Sequence, residues 1–436
     1  MHIYCTECSN YIYDFEWEQS LSKSKRAKTD IAEEVDTSDD TDDEAGTSAS
    51  MSKASDSQDP SSSSSGNTYT NTIDTIQAEY EDDMALCTWK PKVKGFKNLG
   101  NTCYMSTILQ CMVHNPLIRN WFLSGMHQEC PVHTKRLYSI MTQTQTKPSQ
   151  RSSSHGSGSD SSESLDPNDL CLSCEFWDIL NGMFGGGGCS IIPNKFIYTL
   201  WRKAESCASY EQQDAHEFFI TLTNLMHTEL VKCHDSEALE HDPTDEDSCK
   251  CVIHKSFCGL LESDLTCLRC KNSSASNNIF TDISLDIPMN QEATTLAACL
   301  DLFTSPEVLS KTEQFYCTEC KCHCDSTKQL SISRLPNVLC IHFKRFAHNS
   351  ARHTLSKVDT KIEFPRVFDM SPWTKNGKKD RPTQKSFYEL YAVLNHIGRI
   401  DGGHYTCYVR SGKQWFFCND TAVTKVEISQ VRKSQA

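Results

Sequence analysis

Apolar positions change their period along the chain. In NTCYMSTILQCMVHNPLIRNWFL they recur at helical spacing (Tyr104, Ile108, Met112), which predicts a helix beginning near Cys103. A second helix is predicted from Glu211 to about Lys232, with Phe218, Leu222, Leu225 and Met226 on one face. Later segments, VLCIHFKRF, FYELYAVLNHI, HYTCYVR and QWFFCND, read as strands. Helices first and strands afterwards predict an α+β fold without tandem repeats. Two stretches carry neither period. Residues 20–85 run from KSKRAK through acidic residues to a serine tract and are predicted to be a disordered linker, with too little apolar surface to offset the entropy of ordering. The Ser- and Gly-rich stretch 142–167 reads as a surface insertion.

Composition sharpens this division. Between Asp30 and Asp83 stand 16 acidic residues and one lysine, a net of −15, against −14 for all 436 residues. The part predicted to fold is therefore nearly neutral, which argues against a zinc-dependent nucleic-acid binder needing a basic face. The basic KSKRAK, residues 23–28, is a candidate nuclear-import signal, although short Lys/Arg clusters are common; the nucleus is the expected location, with the cytoplasm as the alternative. The segment MHIYCTECSN has no signal-peptide core, and no apolar run has the length of a membrane span. In a reducing compartment the 24 cysteines would hold metal or do chemistry rather than form disulfides. Cys111, Cys189, Cys207, Cys299, Cys340, Cys407 and Cys418 lack ligand-like neighbours and read as small buried residues.

Cys103 follows Gly100-Asn101-Thr102 at the predicted helix start. There the positive end of the helix dipole favours a thiolate. In DGGHYTCYVR, His404 stands behind Gly402 and Gly403, which would let a substrate backbone approach closely. A turn at Ser411-Gly412 and a further strand bring Asn419 and Asp420 back toward His404. A nucleophilic thiol, an imidazole base and a carboxamide that fixes its tautomer make a Cys-His-Asn arrangement.

Cysteine and histidine spacings predict metal sites. Cys267-x-x-Cys270 and Cys317-x-x-Cys320 offer the four thiolates of a closed tetrahedral zinc site, although Cys322 and Cys324 crowd the second pair. His127-x-x-Cys130 with Cys171-x-x-Cys174 makes a second site, in which His133 could replace His127. Cys249-x-Cys251-x-x-His254 offers three ligands, with His227 as a fourth. About three structural zinc ions are expected.

The motif GFKNLGNTCYMSTILQ resembles the cysteine box of the ubiquitin-specific proteases, and YEQQDAHEF their Gln-Gln-Asp motif. LCIHFKRF, and GGHYTCYV with WFFCND, resemble the family's histidine box. The resemblance runs from about Gly95 to Val431. It implies a papain-like cysteine protease fold of thumb (about 95–250), zinc-ribbon fingers (about 251–335) and palm (about 336–431). It also implies hydrolysis of the isopeptide bond after the C-terminal glycine of ubiquitin. On matching positions Cys103 is nucleophile, His404 general base, Asn419 the third member and Asp420 an assisting acid, while Asn98 donates to the oxyanion. Asp214 and Glu217 grip the ubiquitin tail, and Gly402, Gly403 and Tyr405 line its path; His216 is structural. The extra zinc sites resemble those of the deubiquitinase subunit of the SAGA transcriptional coactivator, implying that module's subunits as partners and ubiquitinated histone H2B as substrate. Residues 1–19, with Cys5, Cys8 and YIYDFEW, resemble the tail of a ubiquitin-protease-type zinc finger, a remnant that cannot close a metal site alone. Other ubiquitin conjugates as substrate, or an inactive ubiquitin-binding scaffold, are the alternatives.

Overall fold

The computed structural model describes residues 1–5, 93–135, 170–185, 190–209, 211–234, 249, 251–288, 293–349, 354–375, 377, 386–399 and 402–434. The linker, the KSKRAK segment, the serine-rich insertion, Cys8 and Cys189 lie outside them. The described residues belong to one compact unit, 1–17 with 93–436.

Helices come first, as the apolar spacing requires: α1 (Cys103–Val113), α2 (Pro116–Leu123), α3 (Leu172–Phe184), α4 (Asn194–Lys203), α5 (Ala215–His234) and α6 (Val252–Phe257). Every residue of α1 is buried, so it is a central helix rather than an amphipathic surface one. It packs on α5, where the rings of Tyr104 and Phe218 meet edge to face at 5.5 Å. Phe218, Leu222 and Met226 are buried on the predicted face of α5. This helix starts at Ala215, later than Glu211, because the Asp214 carboxylate accepts the His216 N–H at 2.9 Å and caps it.

Two sheets follow. One is four-stranded, in the order β3-β2-β9-β6, from β2 (Gly259–Cys267), β3 (Ser273–Phe280), β6 (Glu307–Leu309) and β9 (Ser326–Arg334). The short hairpin β7 (Phe315–Cys317) and β8 (Cys322–Cys324) adjoins it. These strands correspond to the expected fingers. The other sheet runs β18-β17-β16-β15-β1-β10-β4, with β14 also on β15. Its strands are β1 (His2–Cys5), β4 (Ile283–Leu285), β10 (Val338–Phe343), β14 (Val367–Asp369), β15 (Phe387–Arg399), β16 (Gly402–Ser411), β17 (Gln414–Asn419) and β18 (Ala422–Val426). This is the palm. Smaller pairs join β5 (Ala293–Thr295) to β13 (Lys361–Glu363) and β11 (Phe346–Asn349) to β12 (Thr354–Lys357), and α7 (Leu296–Phe303) and α8 (Ile428–Lys433) complete the fold.

Within the amino-terminal segment read as a finger remnant, the described residues are a palm strand. β1 pairs antiparallel with β10 on one side and β15 on the other, so its ladder is satisfied along both edges. Ile3 is 1% exposed in the core shared with α1, which fixes the register.

Thumb and palm are also joined through polar groups. His216 on α5 stacks on His342 of β10 at 3.8 Å, and Nε2 of His216 meets Asp282 at 2.7 Å. Ser284 Oγ donates to Asp282 at 3.1 Å and lies 3.0 Å from Nδ1 of His342. Burial, then the neighbouring His216, pushes His342 down to about 3.

Truncation of Ile3 to Ala removes a filled core position. It should cost about 2–5 kcal/mol, read as a lower urea midpoint; an unchanged midpoint would show that β1 adds nothing. The unfolded chain takes up a proton on His342 near the ordinary histidine value of about 6.5, whereas the folded chain resists to about 3. Stability from this group is therefore full above about 6.5 and declines as pH falls toward 3. His342→Gln should flatten the loss of urea midpoint between pH 7 and 5 relative to wild type.

Candidate active site and metal centres

The turn before α1 is set by the palm. Phe96 donates its N–H to the Asp420 carbonyl at 2.9 Å, and a Cβ on Gly95 would stand 2.3 Å from that oxygen. Glycine is required for this approach. The chain then turns through Gly100 (φ 105°) and Asn101 (φ 52°) into Thr102. Thr102 occupies the cap position, yet its hydroxyl makes no cap hydrogen bond. Asn98 organises the turn instead. Its Oδ1 accepts the N–H of Gly100 at 3.0 Å and of Thr102 at 3.2 Å, and the Thr102 hydroxyl at 3.2 Å. Its Nδ2 donates to Asp420 Oδ2 at 3.1 Å.

Cys103 thus opens α1 with 3% exposure, and the backbone N–H of Tyr405 lies near enough to its sulfur to favour the thiolate. Burial raises the thiol above its ordinary value, and the Asp420 carboxylate adds to this against the Tyr405 N–H. The dipole expectation is overruled: desolvation outweighs the helix terminus, so the resting group is a thiol that needs a base.

That base is presented by the hairpin β16–β17. Their register places Cys407 opposite Cys418, and Asn419 beyond it returns to His404, where Oδ1 lies 2.7 Å from Nε2. An amide oxygen only accepts, so Nε2 carries the proton and Nδ1 keeps its lone pair. Asp420, held at φ 47°, bonds Asn98 rather than the imidazole. Its Oδ1 is buried and has no partner among the described residues. The structure therefore joins His404 to Asn419 and Asn98 to Asp420, and sets Tyr405, the residue after His404, near Cys103.

The tail-binding candidates surround this group. Gly402 has open space where a side chain would go, while a Cβ on Gly403 would stand 2.2 Å from Nε2 of His396. Tyr405 is half-buried against His396, ring centroids 4.7 Å apart. Glu217 is exposed on α5, and Asp214 is engaged as its cap. Sequence reasoning missed Gln212. Its Oε1 accepts the Gly403 N–H at 2.7 Å and its Nε2 donates to the Gly403 carbonyl at 2.9 Å, a two-way clamp from the segment leading into α5 to the strand carrying His404. The only sequence signal was its place inside the Gln-Gln-Asp motif.

All three predicted metal clusters are assembled, each with four ligand atoms within 4.8 Å of one another. A tetrahedron with metal–sulfur bonds of about 2.3 Å has sulfur–sulfur edges of about 3.8 Å. Cys130 lies 3.8 Å from both Cys171 and Cys174, so that group fits zinc. Its histidine is His127, with Nε2 3.0 Å from Cys174, whereas His133 packs edge to face on Trp177. Glu229 of α5 accepts the N–H groups of Leu172 and Ser173 at 2.9 Å each, tying the Cys171–Cys174 knuckle to the thumb. In the second group Nδ1 of His227 lies 3.2 Å from Cys251 and 3.8 Å from Cys249, with His254 Nδ1 3.7 Å from Cys251. In the third, Cys270 and Cys317 are 3.5 Å apart. Each set of soft donors would hold its ion closed, without an open position, and so serve folding rather than chemistry. Cys111, Cys207, Cys299, Cys340, Cys407 and Cys418 are buried, as expected of inert thiols.

Comparison with known proteins gives a consistent picture. The family profile described as ubiquitin carboxyl-terminal hydrolase matches residues 94–436. Ubiquitin C-terminal hydrolase 22 of Arabidopsis thaliana is 32% identical over 382 residues, 78% of this chain, which spans 62% of that relative. Ubiquitin carboxyl-terminal hydrolase 27 of Homo sapiens is 33% identical over 376 residues, covering 79% of this chain and 77% of that one. Among solved structures, the SAGA Ubp8/Sgf11/Sus1/Sgf73 DUB module bound to ubiquitin aldehyde matches with a TM-score of 0.61 and 31% identity over 85% of this chain and 75% of that one.

Proposed function

The chain belongs to the ubiquitin carboxyl-terminal hydrolase family, and on that premise we propose that it is a deubiquitinating thiol hydrolase cleaving the isopeptide bond after the last glycine of ubiquitin. The observation that carries this reading is the 2.7 Å contact of His404 with Asn419 on the strand whose next residue touches Cys103.

In this reading the His404 Nδ1 lone pair takes the Cys103 proton as the sulfur attacks the glycine carbonyl. The new oxyanion draws the Asn98 amide away from Asp420, which is close enough to hold that amide ready. His404 then returns its proton to the departing lysine amine, leaving a thioester, and next activates water to release the ubiquitin carboxylate and the thiol. Asn419 fixes the tautomer but, being neutral, stabilises the imidazolium less than a carboxylate would. The ubiquitin tail runs past Gly402, Gly403 and Tyr405, with Asp214 and Glu217 beside it. A tail strand pairing with Gly403 displaces the Gln212 clamp.

Structural zinc at each of the three clusters braces thumb and fingers. Monoubiquitinated histone H2B is the proposed substrate, within a SAGA-type module in the nucleus. The likeness to a solved SAGA module bound to ubiquitin aldehyde supports this over a general deubiquitinase.

A fluorogenic ubiquitin adduct should be hydrolysed by wild type and at least about 10³-fold more slowly by Cys103→Ala, tested with and without SAGA-type partner subunits. Equal rates would remove Cys103 from the mechanism. Nucleosomes carrying monoubiquitinated H2B should be cleaved faster than free ubiquitin dimers, and the reverse order would discard the histone assignment. Metal analysis of Cys171→Ser and of Cys249→Ser should each return one zinc fewer than wild type; an unchanged count would empty that cluster of its role.

A further inference from the structure

The fingers carry more sulfur than one tetrahedral ion uses. Two knuckles, Cys267–Cys270 and Cys317–Cys320, are built alike. Lys271 donates its N–H to the Cys267 carbonyl at 2.9 Å, and Lys321 to that of Cys317 at 2.8 Å. Both lysines adopt the left-handed conformation, at φ 62° and 54°. Those four cysteines form the zinc set already described.

Strand β8 then delivers two more thiols. Side chains two apart on a strand share a face, and the sulfurs of Cys322 and Cys324 lie 3.5 Å apart. His323 between them is exposed, its Nδ1 3.3 Å from the Gln314 carbonyl. Cys324 is 6% exposed and packs in one buried cluster with Cys267 and Cys317, against Cys320 and Cys322. Its thiol also interacts with those of Cys320 and Cys267. The six sulfurs therefore form one group, in which Cys324 joins Cys322 to Cys267 and Cys320 of the first set.

That number has a chemical meaning. Two tetrahedral ions need eight coordination positions, and six thiolates fill them when two bridge. We propose that the tip of the fingers holds a binuclear zinc–thiolate cluster. Cys267 and Cys320 bridge the two ions, Cys270 and Cys317 complete the first, and Cys322 and Cys324 complete the second. Six thiolates around two divalent ions carry a net charge of −2. Arg269, with Nη1 3.4 Å from the Cys322 sulfur, supplies a cation beside it. A Cys322–Cys324 disulfide is the competing use of these thiols. Residues two apart on an extended strand have Cα atoms about 6.7 Å apart, at the outer limit of disulfide geometry.

The test is metal content and spectroscopy on the full chain, purified under reducing conditions, with no activity measurement required. Wild type should hold four zinc ions per chain after dialysis and the Cys322→Ser/Cys324→Ser double variant three. Cadmium-exchanged wild type should give two cadmium resonances coupled to each other through a shared sulfur. The wild-type spectrum decides the matter even where the variant's fingers do not fold. Equal zinc in both proteins, uncoupled cadmium resonances, or a Cys322–Cys324 disulfide in the zinc-loaded chain would each overturn the cluster.

Discussion

The packing of α1 against β16 is the contact on which the site hangs. It sets a buried sulfur at the helix start against the peptide N–H of Tyr405, one residue from the imidazole. Neither element is free to drift. The helix is buried along its whole length, and the strand is hydrogen-bonded on both sides, to β15 and β17. Rigid placement matters because a protonated thiol reacts only when its base stands within reach, and the burial that fixes the sulfur also keeps its proton on. The Asn98–Asp420 bond ties the same turn to the end of the next strand. Cys103, His404 and Asn98 thus share one framework.

Much of this was legible in the sequence because its signals are local. The apolar spacing located α1 and α5, and the length of the GGHYTCYVR–WFFCND hairpin was enough to return Asn419 to His404. The Cys-x-x-Cys pairs identified their clusters for the same reason, since knuckle geometry is contained within a few residues. Pairings that depend on the whole fold stayed hidden. Nothing near Gln212 announces Gly403, and nothing near His216 announces His342. Asn98 was read as a donor from its motif, but its service as the acceptor that shapes the turn follows from backbone angles at Gly100 and Asn101 that a residue string does not display. The helix start at Cys103 was visible and its burial was not, so the desolvation that raises the thiol was not legible.

The three ligand clusters join separate segments of the fold. One joins the start of α3 to the segment after α2, another joins α5 to the start of α6, and the third closes the narrow β-hairpins of the fingers. In each, ligands come from segments distant in sequence, so an ion restricts the unfolded chain as well as the folded one. In the thumb Glu229 adds a carboxylate at a helix start beside the ligands, coupling the knuckle's orientation to α5.

β1 lies between β10 and β15, so Ile3 stands beside Cys340 and Ala392. During synthesis this segment emerges long before either neighbour exists. It must wait, unpaired, while most of the polypeptide is translated, and the palm closes around it only when the late strands arrive. A strand made long before both of its neighbours ties assembly of the cleft to the arrival of β10 and β15.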